Sequence, residues 1–382
     1  MVFLFYDIIS VVIFLYKVAI EILNIISNNG YEAFIVGGFV RDKLLDLNSN
    51  DIDITTNATY EEISNIFHDL SKENYGSFSL KYKGYSFDVT TYRKEHSYLN
   101  NRKPIDITYT NSLIEDLKRR DFTINAICID KDENYIDMFN GINDLQNKLI
   151  RSIGNSNYKI KQDALRILRA IRFSTLLNFD LENNLIKSIK NNLNLLYNIS
   201  YDRKMIELNY IFSSSNIEKG INLLTYLKID KILEIGGLNN VKRCSNINGI
   251  WAQINYSEKY NFSKKDKNQI LQIKKIIEST IIDNRTLYDY DINNILISCE
   301  ILNIDKEKVI CMYENMPIYN RKDVCINYNE IKSMYPRIDI NKIYVDLENK
   351  ILYNELKNNK LEILKYLDYE YGRGVNLWTK IW

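Results

Sequence analysis

The apolar residues of this chain change period near residue 150, and that change limits the fold more than any other feature. Up to there, short runs with alternating or β-branched character are spaced by helical pieces: 34–38 (FIVGG), 51–56 (DIDITT), 77–84 (SFSLKYKG), 85–93 (YSFDVTTYR), 105–110 (IDITYT) and 125–130 (NAICID). The KYKGYSF run reads as a hairpin around Gly84, and 61–69 as a helical insert between strands. This is the pattern of a mixed sheet with helices packed on it. From about 155 onward the apolar spacing is helical, over 163–177, 185–196, 203–213, 217–227, 264–282, 291–302, 328–335 and 339–367. The fold class is therefore α+β, with a mixed-sheet head followed by an all-α remainder. Repeats and low-complexity linkers are not evident.

At 382 residues the chain has room for two or three domains. Five scattered cysteines without a CxxC pair, and only two histidines, argue against a zinc site and fit reduced core thiols of a cytoplasmic protein. The formal charge of +1 excludes a general nucleic-acid coat, so contact with RNA requires a local patch. The 261–277 stretch, with Lys264, Lys265, Lys267, Lys274 and Lys275, is either such a patch or a solvated helix face. The first twenty residues are apolar for about the length of a membrane span, ~20 residues. Asp7 and Lys17 interrupt the run, and no basic leader or small-residue cleavage site flanks it. It reads as a first helix leading into the amphipathic 19–26 rather than as an anchor, and no stable membrane partner is expected.

Two constellations carry chemistry. In 34–54, FIVGGFVRDKLLDLNSNDIDI, a strand ends at Gly37-Gly38 and a helix follows. Paired glycines let backbone N–H groups approach a phosphate at the positive end of a helix, and Arg41 adds a permanent cation for a triphosphate; Asp42 beside it suits a structural ion pair. Asp51 and Asp53 are two apart in a strand, so their carboxylates share a face and call for a hard cation such as Mg²⁺ between them. A third carboxylate, Asp88, lies in a neighbouring apolar strand, placed there to share the metal or to pair with Arg93.

The second is 162–173, QDALRILRAIRF. On a helix Asp163 and Arg166 share a face, continued by Arg169 and Arg172. A carboxylate beside a guanidinium can accept from the exocyclic amine of C or A and donate to the adjacent ring nitrogen. U and G would leave such groups unpaired, at roughly 1–3 kcal/mol per group.

These residues resemble the class II tRNA nucleotidyltransferases and bacterial poly(A) polymerases of the DNA polymerase β superfamily. The match runs from 37–45 (GGFVRDKLL) through Asp51 and Asp53, the unaltered RRDFTINA at 119–126, the hinge-like 137–145 (DMFNGINDL), 162–173, and the neck-like 199–208 with Arg203 and Glu207 four apart as a stabilising pair. It is strong over about 31–210 and fades beyond. The resemblance implies a polymerase-β-like head at 1–150, a neck at 151–214 that reads the base, a body at 215–330 and a tRNA-contacting tail at 331–382. It also implies that Arg120 and Asp121 recognise the ribose, with Asn125 in the same nucleotide-binding motif, and that Arg169 and Arg172 lie near the triphosphate.

The activity implied is template-independent addition of CCA to the tRNA 3′ end from CTP and ATP, with tRNA bound through its acceptor stem and 3′ end and Mg²⁺ as cofactor. One position departs from the motif: Gln162 stands where the family has Glu, which bears on nucleotide selectivity. The 94–104 stretch, KEHSYLNNRKP, with Arg102, occupies the place of a flexible loop needed to switch from C to A. Its length favours the full reaction over CC addition. A-only and poly(A) products stay open, and two readings from other classes are a decayed RNA-binding protein and a small-molecule nucleotidyltransferase. The oligomeric state is not legible.

Overall fold

The computed structural model describes residues 2–73, 76–99 and 103–372. Its contacts divide the chain into two compact units, one of 1–236 with 257–261 and the other of 237–256 with 262–382. The 215–236 stretch, which the sequence groups with a body, thus packs with head and neck.

The first unit opens with helix α1 (Val2–Asn28), which buries Leu15, Val18, Ala19, Ile22, Leu23 and Ile26. Among the described residues no helix is long and apolar enough to cross a membrane. The head then runs β1 (Ala33–Val36), α2 (Gly38–Leu44), β2 (Asp53–Thr56), α3 (Tyr60–Ser64), β3 (Leu70–Lys72), β4 (Ser77–Tyr82), β5 (Tyr85–Thr91), β6 (Arg93–Leu99), β7 (Lys103–Tyr109), α4 (Leu113–Arg119), β8 (Ile127–Ile129) and β9 (Tyr135–Asp137). Seven strands form one sheet in the order β3-β4-β5-β2-β1-β8-β9, in which β2 and β5 run parallel and the other pairs antiparallel. The β4–β5 turn is the expected hairpin, with Lys83 and Gly84 both at positive φ, as a tight two-residue turn requires.

Three head elements differ from the sequence reading. The insert at 61–69 is only a one-turn helix, α3, before the edge strand β3. Asp51 precedes β2, which starts at Asp53. The 94–104 stretch is mostly a β-hairpin, β6 with β7, paired from Arg93↔Tyr109 to Leu99↔Lys103 with shifts of register between Glu95 and Tyr98. Arg102 lies outside the described residues.

After α5 (Gly141–Gln146) and β10 (Leu149–Ile150) come α6 (Ser156–Gln162), α7 (Arg166–Leu177), β11 (Asp180–Leu181), α8 (Asn183–Asn191), α9 (Tyr201–Phe212), α10 (Ile217–Tyr226) and α11 (Ile229–Ile232). The second unit is helical: α12 (Ile247–Gln253), α13 (Lys264–Ser279), α14 (Asn284–Asp289), α15 (Ile292–Leu302), α16 (Lys306–Glu314), α17 (Tyr328–Met334), α18 (Ile340–Leu352) and α19 (Lys360–Tyr371). Its core gathers Ile295, Cys299, Ile331, Ile343, Leu347, Ile351 and Ile363. The run expected as one helix over 339–367 is broken between α18 and α19, where Asn354 takes a positive φ of 58°.

Candidate active site

The sheet brings three carboxylates together. The parallel register of β2 with β5 sets Asp53 opposite Asp88. Ligand oxygens of Asp51, Asp53 and Asp88 all lie within 4.8 Å of one another. Phe87 and Val89 are buried while Asp88 is exposed, so this carboxylate sits on the open face of the sheet. Arg93 bonds Glu95 instead, at 3.1 Å. Burial, then repulsion from Asp51 and Asp88 working against Arg120, pushes the Asp53 carboxyl up to about 6. Three converged carboxylates, one of them resisting ionisation, fit a hard divalent cation.

Gly37 borders this cluster. Its φ is +89°, and a Cβ there would come within 3.1 Å of Asp53 Oδ2 and 3.6 Å of Arg120 Nη1. Both the conformation and the space favour glycine. Gly38 begins α2 and is less restricted, with only Arg41 Nη2 at 3.7 Å. Buried Arg41 bonds Asp42 through Nε at 2.8 Å and donates from Nη1 to Asn125 at 2.8 Å.

Asn125 in turn donates to Asp121 Oδ1 at 3.1 Å, where the Phe122 N–H also donates at 2.8 Å. Arg169 occupies Asp121 Oδ2 through Nε at 2.7 Å and through Nη2. Three hydrogen bonds and an ion pair within the protein thus engage this carboxylate, and against burial Arg169, then Asn125, hold it well below the usual carboxylate range. Asp121 thus anchors Arg169, whereas the RRD resemblance assigns it the ribose. Arg120 faces Asp53 and is braced by Asp116, a fully buried carboxylate 3.6 Å away that also bonds Arg119 at 2.8 Å.

The base-reading pair is built differently from expectation. Asp163 is not helical: α6 ends at Gln162, Asp163 is extended (φ −137°, ψ 106°), and α7 starts at Arg166. The Asp163 carboxylate accepts the Leu165 N–H at 3.0 Å and lies 3.7 Å from Arg203. Burial raises its pKa. Arg166 is buried and donates to the carbonyls of Lys159 (2.9 Å) and Arg119 (2.8 Å) and to Gln162 Oε1 (3.3 Å). These bonds use three of its five N–H groups, leaving Nε–H and one Nη2–H. Gln162 therefore supplies the acceptor that steadies Arg166 without adding a charge. Glu207 takes Arg172 at 3.1 Å, a cross-helix pair that spacing within α9 does not reveal.

One cleft of about 320 Å³ joins these groups, lined by Gly37, Gly38, Arg41, Asp53, Arg120, Asp121, Asn125, Asp163, Arg166 and Arg169, together with Glu95, Arg119 and Phe173. The last three were missed. The Phe173 ring lies 4.6–5.5 Å from the guanidinium carbons of Arg41, Arg169 and Arg172, so a single phenyl gathers three cations. Its helical position reads as core, and only its neighbouring arginines hinted otherwise.

A converged aspartate triad on a mixed sheet, a Gly-Gly turn and a cation-lined cleft define a nucleotidyltransferase-type site. The chain matches the family model "Poly A polymerase head domain" over 33–151 and "Probable RNA and SrmB- binding site of polymerase A" over 178–233. A CCA-adding enzyme from Staphylococcus aureus (strain MRSA252) is 31% identical over 93% of this chain and 98% of its own length. The Bacillus stearothermophilus CCA-adding enzyme, solved in complex with CTP, superposes with a TM-score of 0.83 at 23% identity, covering 94% of this chain and 98% of that one. The Thermotoga maritima CCA-adding enzyme complexed with tRNA gives 0.66 at 19% identity, covering 92% and 94%. The chain belongs to the family of the CCA-adding enzymes.

Proposed function

We propose that this chain builds the CCA end of tRNA from CTP and ATP, releasing pyrophosphate, and that it does so in the cytoplasm. The observation that carries the reading is one cleft lined both by Asp53 of the aspartate triad and by the Asp163–Arg166 pair, in a chain alike to CCA-adding enzymes along nearly its whole length.

Asp51 and Asp53, with Asp88 beside them, would hold Mg²⁺. Bound there, the ion supplies Lewis acidity at the attacking tRNA 3′ hydroxyl and offsets charge on the departing pyrophosphate. The Gly37-Gly38 turn lets the triphosphate approach the backbone. Arg41 and Arg169, with Arg172 behind them, gather around Phe173 and neutralise it. Arg120 orients the nucleotide beside Asp53, while Asp121 and Asn125 hold Arg169 and Arg41 in place. Asp163 accepts from the amine of C or A, and the Nε–Nη2 edge of Arg166 donates to the neighbouring ring nitrogen. The helices from α6 to α11 serve as neck and those from α12 to α19 as body and tail for the acceptor stem and 3′ end.

The test uses Mg²⁺, labelled nucleotides and tRNA transcripts ending before CCA, after C and after CC. Addition of every missing nucleotide followed by arrest supports the reading. Transfer of A alone to the CC-ended transcript, C-only addition or unbounded A-tailing would each replace it with the corresponding relative.

A further inference from the structure

Lys159 lies on α6, outside the cleft lining, with 8% of its surface exposed. Burial, then the neighbouring Arg166, pushes the Lys159 ammonium down to about 7, and two backbone carbonyls take its donors. Its Nζ donates to the carbonyl of Lys118, a short contact, and to that of Arg120 at 3.4 Å. Arg166 Nη2 takes the carbonyl between them, that of Arg119, at 2.8 Å. Three successive carbonyls where α4 ends are thus capped by two cations from the neck, at the negative pole of that helix. The cations are also tied together, because Arg166 Nη1 donates to the Lys159 carbonyl at 2.9 Å.

The capped segment carries the groups on the reacting side of the cleft. Arg120 faces Asp53, and Asp121 follows it and anchors Arg169. Arg166 belongs to the base-reading side. We propose that Lys159 is a positioning residue for nucleotidyl transfer: with Arg166 it clamps the carbonyls of Lys118, Arg119 and Arg120, so that the base-reading pair and the groups facing the reacting phosphate keep one fixed geometry. The proposal rests on the functional reading above.

Two variants test it. Lys159→Met keeps the length and apolar stem but loses every donor; Lys159→Arg keeps cation and donors. With Lys159→Met, CTP affinity should stay within about two-fold, because Arg166 keeps its bonds to the Arg119 and Lys159 carbonyls. Turnover per CTP-binding site should fall roughly ten- to a hundred-fold, the scale of a slight misplacement of reacting groups. Lys159→Arg should recover most of it. A second readout needs no transfer: CTP should slow amide exchange at 118–122 in the wild type and not in Lys159→Met.

A merely structural lysine predicts otherwise, namely a lower Tm and fewer binding sites but unchanged turnover per site, and that result overturns the clamp. Equal loss in Lys159→Arg and Lys159→Met overturns it too. If the wild type transfers no nucleotide to tRNA, the functional reading fails instead, and the exchange measurement alone decides whether Lys159 couples the two sides.

Discussion

Asp53 carries the largest electrostatic tension among the metal-side carboxylates, and its sign can be worked out. Its ordinary value is 3.8 and its folded value about 6, so between these the folded chain without metal holds a proton that the unfolded chain has released. The stability linked to that proton is complete below about 3.8 and is lost as pH rises through 6. Above 6 the Asp53 carboxylate is ionised and ready for a cation; below it, a proton competes. Millimolar Mg²⁺ should therefore raise Tm at pH 7.5 and do so progressively less below pH 6, and Asp53→Asn should abolish the effect along with transfer. A Mg²⁺ stabilisation of equal size at pH 5 would count against the triad as the binding site. Asp163 invites a different substitution. Asp163→Asn keeps the shape but turns one acceptor into a donor, so discrimination of CTP against UTP should fall by a factor of about ten to a hundred, or ~1–3 kcal/mol. Single-turnover incorporation with each nucleotide measures it, and unchanged discrimination would remove Asp163 from base reading.

Helix starts show how local chemistry writes this fold. Every described α-helix of the second unit, α12 to α19, begins with an Asn, Asp or Ser whose side chain accepts a backbone N–H of the first turn. Removing one of these caps, as in Asp339→Ala at the start of α18, should cost ~1 kcal/mol in denaturant melts while leaving CTP binding untouched. Such local signals were legible: helical spacing located α9, α10, α13 and α15, and alternation located β1, β4, β5 and β8. What escaped depends on partners distant in sequence. Asp163 sits in a run of unbroken helical spacing, yet α6 ends before it, and its carboxylate bonds the Leu165 N–H and faces Arg203. The 94–104 stretch read as a loop because polar residues hide a hairpin whose strands pair with each other and not with the main sheet. In the site, residue types and spacing gave Asp51, Asp53, Asp163 and Arg166. They could not give Phe173 under three arginines, Asp116 behind the RRD segment, or the pairing of Asp121 with Arg169, since each arises where the elements meet.

At the scale of the whole molecule, the cleft and the lysine-bearing helix belong to different units: the cleft-lining residues all lie in the first, whereas α13 lies in the second. With a net charge of only +1, phosphate contact has to be local, and Lys264, Lys265 and Lys267 are exposed near the N-terminus of α13. Among the described residues, these three lysines form no ion pair. Replacing all three with alanine should weaken tRNA binding, lower the slope of log affinity against log salt by up to about three, and leave CTP affinity unchanged. Filter binding across a salt series reads both quantities, and an unaltered slope would make this a solvated helix face. Nucleotide binding gives the converse test. CTP at a hundred times its dissociation constant stabilises the state that binds it by about 2.7 kcal/mol. Because its proposed contacts run from Gly37 to Phe173, the added protection against hydrogen exchange should concentrate in β1, β2, α4, α6 and α7. It should leave α14 to α19, which supply most of the second unit's core, unchanged. Equal protection of both units would mean that they open as one cooperative block, whereas protection confined to the first would show that nucleotide binding draws on the stability of head and neck alone.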